Sequence, residues 1–513
     1  MTVYNVALKA GVDYDAFWHE IETVGLGSGY VPYRGVEIAN ERPTSQRQCW
    51  YDLTDAEAET LRKDPRVYCV ELPPEHRTDI EMILTAAQSG LYWKNSGTNP
   101  SNNLAINWGL FRTNSTTNNT TSSSGNLTYN YPLDGTGVDF VVQDSGCQVD
   151  HPEFTNAAGI SRVKQIDWFA ASLIPGTMPA TFYTDYDGHG THVCGIAAGK
   201  TYGRAKNSDI YVMTVNGLAR PPGVGLSVTN AFDCIKGWHS YKNIDPATGY
   251  KRPTVVNMSW AYINTFQFIN GGNYRGTSWS GNTSRPEYGM IGAGSVFGTR
   301  VASTDVDVAE LLAEGVCLVG SAGNFYQTLD VLGGPDYNNW FLRDGSQTYY
   351  MQGCTPTAVP GVICVGSVAT QIGPETKSGF SDSGPRVDVY APGSAIVSAM
   401  STTNAFGAST VYPFNSLFRI GSISGTSMAS PNVAGIVAQL LQVYPRATPA
   451  QIRQKIISDS TVGVLYDTVS TTNYADSQSL HGGANRYAYM PFNTFSGANV
   501  AGAIEFNKTG LRT

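Results

Sequence analysis

The sequence predicts an α/β fold: a mostly parallel sheet with helices on both faces, preceded by a small α+β domain. Two observations carry this. Short β-branched runs at 210–215, 254–258, 316–320, 361–368 and 387–390 are separated by helix-like stretches such as 305–314. Strands alternating with helices close into parallel sheets through crossover connections. Ahead of them, residues 1–75 read as strand, helix, strand, helix, strand. With 513 residues the chain has room for one large domain and one small one. The expected division is 1–75, a linker or maturation region at 76–103, and a large domain at 104–513.

The elements follow in order. Residues 4–9 alternate apolar and polar, and 14–22 place Phe17, Trp18 and Ile21 at helical spacing. Residues 48–52 alternate again. Thr54 with Glu57 three positions later is a capping box, and Asp64-Pro65 ends that helix. Residues 66–71 form the last strand of the small domain. A polar stretch follows to about 103, and the Ser/Thr/Asn run 113–124 reads as a flexible insertion. Residues 135–144 are an apolar strand that ends on a carboxylate, Asp144. From Ser430-Pro431 onward a buried helix is expected, and Thr448-Pro449 opens the last major helix. Two long aromatic-rich insertions, 262–300 and 325–360, follow strands of the sheet. Both are expected to wall a cleft or present a docking surface at the ligand-binding edge.

Three separated segments carry chemistry. Val141-Val142-Gln143-Asp144-Ser145-Gly146 supplies an acid and Gly188-His189-Gly190-Thr191-His192 an imidazole. Gly425-Thr426-Ser427-Met428-Ala429-Ser430-Pro431 supplies a hydroxyl. Together these make serine a nucleophile: His takes its proton, and a buried Asp fixes the His tautomer and stabilises the imidazolium. The chain order decides between families that share this chemistry. Ser, acid, His with G-x-S-x-G marks α/β-hydrolases; His, Asp, Ser marks chymotrypsin-like enzymes; Asp, His, Ser is the subtilisin order. Residue 427 sits in Gly-Thr-Ser-Met-Ala, outside G-x-S-x-G.

On these motifs the chain resembles subtilisin-like serine proteases (subtilases, peptidase S8), in flavour the proteinase K branch. The resemblance implies a serine endopeptidase with Asp144, His189 and Ser427 as its triad, and a polypeptide as substrate. Residues 316–324 form an apolar run ending Ala322-Gly323-Asn324, similar to the family segment whose Asn donates to the oxyanion, so Asn324 is the expected oxyanion-hole side chain. The family's substrate-binding strand usually ends Ser-Leu-Gly-Gly. Here Ser259 is kept, but Trp260-Ala261-Tyr262 replaces the rest. Ser259, Trp260 and Ala261 are therefore the expected substrate-binding residues. The bulk of Trp260 and the extra Cβ of Ala261 are expected to alter specificity and peptide turnover. Residues 53–71 look like the end of the family's inhibitor I9-type propeptide, and Leu104 through Arg112 resembles the start of mature members. That implies an N-terminal domain acting as an intramolecular inhibitor, with a maturation cut between these landmarks.

Calcium often accompanies this family. Asp185 and Asp187 precede His189, but no D-x-D-x-D-G loop is present, so metal stays unassigned. No cofactor is required for the chemistry. A net charge of −8 opposes nucleic acid as a partner, and no run of eighteen apolar residues suits a membrane span. The start at Met1 shows no basic-then-apolar leader. Three of the eight cysteines, Cys69, Cys317 and Cys364, sit in apolar strand patterns. The expected location is therefore intracellular, or within a phage particle or other assembly. A competing reading makes the chain a structural or assembly protein whose protease domain is dormant or used once. A lipase or esterase is opposed by both serine context and chain order.

Overall fold

Eight strands build the central sheet of the computed structural model, in the order Thr461–Val462, Arg486–Tyr487, Val389–Pro392, Ile363–Val368, Cys317–Ser321, Thr254–Met258, Asp139–Asp144, Asp209–Thr214. Every neighbouring pair is parallel except the first, an antiparallel edge. The structure describes residues 1–27, 29–77, 81–84, 86–89, 107–118, 131–219, 221–246, 248–369, 374–407 and 409–491. The expected run 113–124 and the landmark 104–112 lie partly outside them.

The inner strands are buried along their whole length, which is why they read as continuous apolar runs. Alternation sorts their side chains. Phe140, Val142, Val255 and Val319 pack with the helices His189–Ala198 and Thr426–Val443. Val141, Val256, Met258 and Leu318 pack with Val228–Ser240 and Ala302–Ala313. This is the mostly parallel sheet with helices on both faces that the sequence predicts.

The first 71 residues form an antiparallel sheet in the order Ile38–Asn40, Gln48–Leu53, Thr2–Leu8, Val67–Glu71, with helices Tyr14–Glu22 and Asp55–Leu61. The capping box is present: the Glu57 N–H donates to Thr54 Oγ1 at 3.2 Å and the Thr54 N–H to Glu57 Oε2 at 2.8 Å. This domain leans on helices 228–240 and 302–313 of the large domain. Arg42 is buried, with Nε 2.6 Å from Asp233 and Nη2 2.6 Å from Asp307, while Gln48 donates to Asp307 at 2.8 Å. Glu71 accepts from the Ser303 N–H at the start of helix 302–313. Removing Arg42 strands two buried carboxylates. R42M in the full chain is expected to lower stability by roughly 3–5 kcal/mol, read as the urea midpoint of the transition that undocks the N-terminal domain.

The region 76–103, expected to be a linker or maturation region, contributes two strands among its described residues. Glu81–Leu84 pairs antiparallel with Trp260–Thr265, and Ala86–Ser89 pairs antiparallel with Arg419–Gly425. The Met-Ile-Leu run at 82–84 is too short and too isolated to read as a strand without its distant partner.

The two insertions fold as one unit. Thr277–Trp279, Ile269–Tyr274, Trp340–Arg343 and Ser346–Tyr349 form a single antiparallel sheet. Phe266, Phe297, Phe341, Tyr350 and Met351 form its apolar core.

Candidate active site

The C-terminal edge of the central sheet gathers the expected residues. Asp144 closes its strand, Ser259 follows Met258, and Asn324 lies three residues past Ser321. Crossover connections leave this edge open for ligands. His189 begins the helix 189–198, and Ser427 is the second residue of the helix Thr426–Val443.

Glycine allows the close approach. A Cβ on Gly190 would come within 2.1 Å of the Gly146 carbonyl oxygen, so the histidine helix can lie against the loop after Asp144 only with glycine there. Gly146 itself has φ +125°, a conformation that side chains rarely adopt. The result is a 2.7 Å hydrogen bond between His189 Nδ1 and Asp144 Oδ1, with both side chains fully buried. Asp144 Oδ1 also accepts from the Ser145 N–H at 2.7 Å. His189 Nε2 has no hydrogen-bond partner among the described residues. Burial alone would disfavour the imidazolium, but the charge and hydrogen bond of Asp144, with Asp187 and Asp185 behind it, outweigh burial and raise the His189 pKa. Phe406 stacks on the ring at 6.2 Å.

Ser427 is buried, and its Oγ donates to the Ser259 carbonyl at 3.1 Å. Ser259 returns the contact through its own hydroxyl to the Ser427 carbonyl at 3.0 Å, and Asn257 donates to that hydroxyl at 2.9 Å. The Asn324 side-chain oxygen accepts from both the N–H and the hydroxyl of Thr426 at 2.9 Å. That leaves the Asn324 amide nitrogen as the donating end, beside the amide groups that open the helix 426–443.

Trp260 and Ala261 differ from the expectation of a crowded cleft. Trp260 sends its indole into the core beside Tyr262, with Nε1 donating to Gln143 at 3.2 Å. Ala261 pairs with Ile83 across the strands without displacement. A Cβ stands off the plane of a sheet, so it does not intrude between hydrogen-bonded backbones.

Sequence reasoning missed the part played by Asp185. Its carboxylate accepts from the N–H groups of Gly188 and Thr191, both at 2.8 Å, from the Thr191 hydroxyl and from Ser145 Oγ. It ties the histidine helix to the Asp144 loop. His192 lies nearby but faces away, with Nε2 3.1 Å from the Gly421 carbonyl, and burial pushes its pKa down to about 3.

Comparison with known proteins gives the family of the chain. The profile described as "Subtilase family" matches residues 135–484. An extracellular serine proteinase of Thermus sp. (strain Rt41A) is 28% identical over 450 residues, covering 87% of this chain and 77% of the relative. A cuticle-degrading protease of Metarhizium anisopliae is 30% identical over 354 residues, 69% of this chain and 66% of its own length. Fervidolysin from Fervidobacterium pennivorans, a keratinolytic enzyme related to subtilisin, superposes with a TM-score of 0.51 at 18% identity over 94% of this chain and 60% of its own, a likeness of fold. These relatives correct the expected intracellular or assembly-bound location, since the Thermus protein is an extracellular enzyme. The residues at Met1 carry no information about a leader, and buried thiols form in either compartment. By the extent of the profile match, the chain belongs to the subtilase family of serine endopeptidases.

Proposed function

We propose that this chain hydrolyses peptide bonds with Ser427 as nucleophile, His189 as general base and Asp144 as the group that orients and charges the imidazole. The 2.7 Å bond from His189 Nδ1 to Asp144 carries the reading. It fixes the tautomer that leaves Nε2 without a proton and able to take one from Ser427. On this reading the serine hydroxyl exchanges the Ser259 carbonyl for Nε2 as a substrate carbonyl arrives. The Ser427 backbone N–H and the Asn324 amide then receive the oxyanion. The strand 260–263 holds the substrate by backbone pairing.

The N-terminal domain fits an intramolecular inhibitor. Its tail, 81–84, lies along 260–263, and 86–89 continues beside 423–425. On this reading the nucleophile acts in the interval between Leu84 and Ala86, and the maturation cut falls at one of the two bonds joining them. Labelling the purified full chain with a fluorophosphonate, followed by mass spectrometry, tests both statements. Label on Ser427 and a large fragment beginning at residue 85 or 86 are expected. An unlabelled, intact chain would overturn the catalytic reading; a cut elsewhere would overturn the maturation site.

The base must be neutral to act. Because the His189 pKa is raised above its ordinary 6.5, kcat/KM is expected to fall on the acid side with an inflection above 6.5, fully active above it and lost as His189 gains a proton. A pH profile on a short peptide measures it, and an inflection below 6.5 contradicts the assignment.

A further inference from the structure

Asn324 sits in a bend whose backbone is held on both sides by one buried residue, Asp382. The Asp382 N–H donates to the Gly323 carbonyl at 3.0 Å, and its Oδ1 accepts from the Phe325 and Gln327 N–H groups, both at 2.8 Å. The residue between those two donors, Tyr326, has φ +63°, a left-handed conformation that side chains resist. Gly323 has φ +123°, and a Cβ there would stand 2.3 Å from Asp382 Oδ2. The glycine of Ala322-Gly323-Asn324 thus makes room for this carboxylate.

Asp382 is itself fastened to the central sheet. Ser381 Oγ accepts from the N–H of Ser367, on the strand Ile363–Val368, at 3.0 Å, and donates to the Asp382 carbonyl at 2.9 Å. Residues 380–383 then run beside 326–329. The Tyr326 N–H donates to the Phe380 carbonyl at 3.2 Å, the Ser383 N–H to the Gln327 carbonyl at 3.1 Å and the Leu329 N–H to the Ser383 carbonyl at 2.7 Å. On the far side of the bend, the Gly323 N–H reaches Thr426 Oγ1 at 3.3 Å and the Asn324 oxygen holds the Thr426 N–H. A series of hydrogen bonds from the sheet to the residue before the nucleophile therefore runs through Asp382 and the bend that carries Asn324.

We propose that Asp382 is a positioning residue for the oxyanion step: by fixing the backbone on both sides of Asn324, it aims the Asn324 amide at the charge that develops on the substrate carbonyl. This rests on the reading of Ser427 and Asn324 given above. A left-handed Tyr326 favours relaxation of the bend, and the two N–H groups that flank it are the ones Asp382 accepts from. Without that acceptor the bend relaxes and the donor moves off its aim, and a displacement of about 1 Å costs up to a hundredfold in rate.

Each chain is assayed on a short peptide after release of its N-terminal domain, with kcat referred to the Ser427 sites that a fluorophosphonate labels. Burial pushes the Asp382 carboxyl up to about 7, so the assays run well above that, with the group ionised. D382A is expected to lower kcat by about ten- to a hundredfold with KM little changed. D382N keeps an oxygen for the two amides and should recover most of that loss. A double-mutant cycle decides whether the effect passes through Asn324: adding D382A to N324A should slow kcat by no more than about twofold further. If the alanine chain does not fold, D382S, too short to reach both amides, goes through the same cycle. Wild-type turnover per labelled site in D382A, losses that multiply in the double variant, or no recovery in D382N overturn the proposal and leave the catalytic reading standing. Full kcat in N324A, or an unlabelled Ser427, overturns the oxyanion or catalytic reading and the proposal with it.

Discussion

Ser427→Ala is expected to abolish peptide hydrolysis, by roughly a million-fold in kcat, the scale seen when subtilisin loses this hydroxyl. The substituted chain should be recovered in one piece with its N-terminal domain attached, because the cut between Leu84 and Ala86 depends on the same group. The fold should scarcely change. Among the described residues the hydroxyl donates to the Ser259 carbonyl, and losing that bond costs a net of about 0.5–1.5 kcal/mol. His189→Ala should be nearly as severe, since it removes the base and leaves Asp144 buried opposite a void. His192→Ala should be much milder, because its ring bonds the Gly421 carbonyl and stays neutral. Circular dichroism together with a progress curve on a short peptide separates these cases. More than a percent of wild-type activity in the serine variant would sink the assignment of Ser427.

What could be read from the sequence depended on how local its cause was. Strands 139–144, 254–258 and 363–368 are buried on both faces, so their apolar composition alone announces them. The capping box at Thr54 and the small residues around Asp144, His189 and Ser427 are likewise local signals, and the glycines owe their place to contacts such as Gly190 against Gly146. Boundaries slipped by one to four residues, as at Cys317–Ser321, where the apolar run begins at Val316, and at Asp139–Asp144, where the expected strand begins at Gly135. The edge strand Ile38–Asn40 is exposed throughout and has no apolar face to betray it. Longer-range causes were hidden. Residues 81–84 become a strand only because 260–263 lies nearly two hundred positions away, and the two insertions join through pairs such as Gly272 with Phe341. The direction of Trp260 was likewise hidden. Tyr262 shares its face of the strand, and together they fill the core that helices 228–240 and 302–313 cover. Asp185 and Asp187 read as solvated or capping carboxylates, with metal unassigned, because the amides that Asp185 accepts from appear only once the helix 189–198 has formed.

Asn324→Ala is expected to slow kcat by about a hundred- to a thousand-fold with KM little changed, the signature of a donor that meets charge only in the transition state. The alanine variant has a second effect. The Asn324 oxygen also holds the N–H and hydroxyl of Thr426, the residue before the nucleophile, so its removal loosens the start of the helix 426–443. Asn324→Asp separates the two contributions. Aspartate can keep both bonds to Thr426 but has no N–H to offer, and its negative charge opposes an oxyanion. If the side chain acts as an oxyanion donor, the aspartate variant is at least as slow as the alanine variant while melting nearer the wild type. If it serves only to hold Thr426, the aspartate variant recovers most of the activity. A variant in which KM rises and kcat stands would show that Asn324 binds the ground state instead, and the oxyanion would then rest on the Ser427 amide alone.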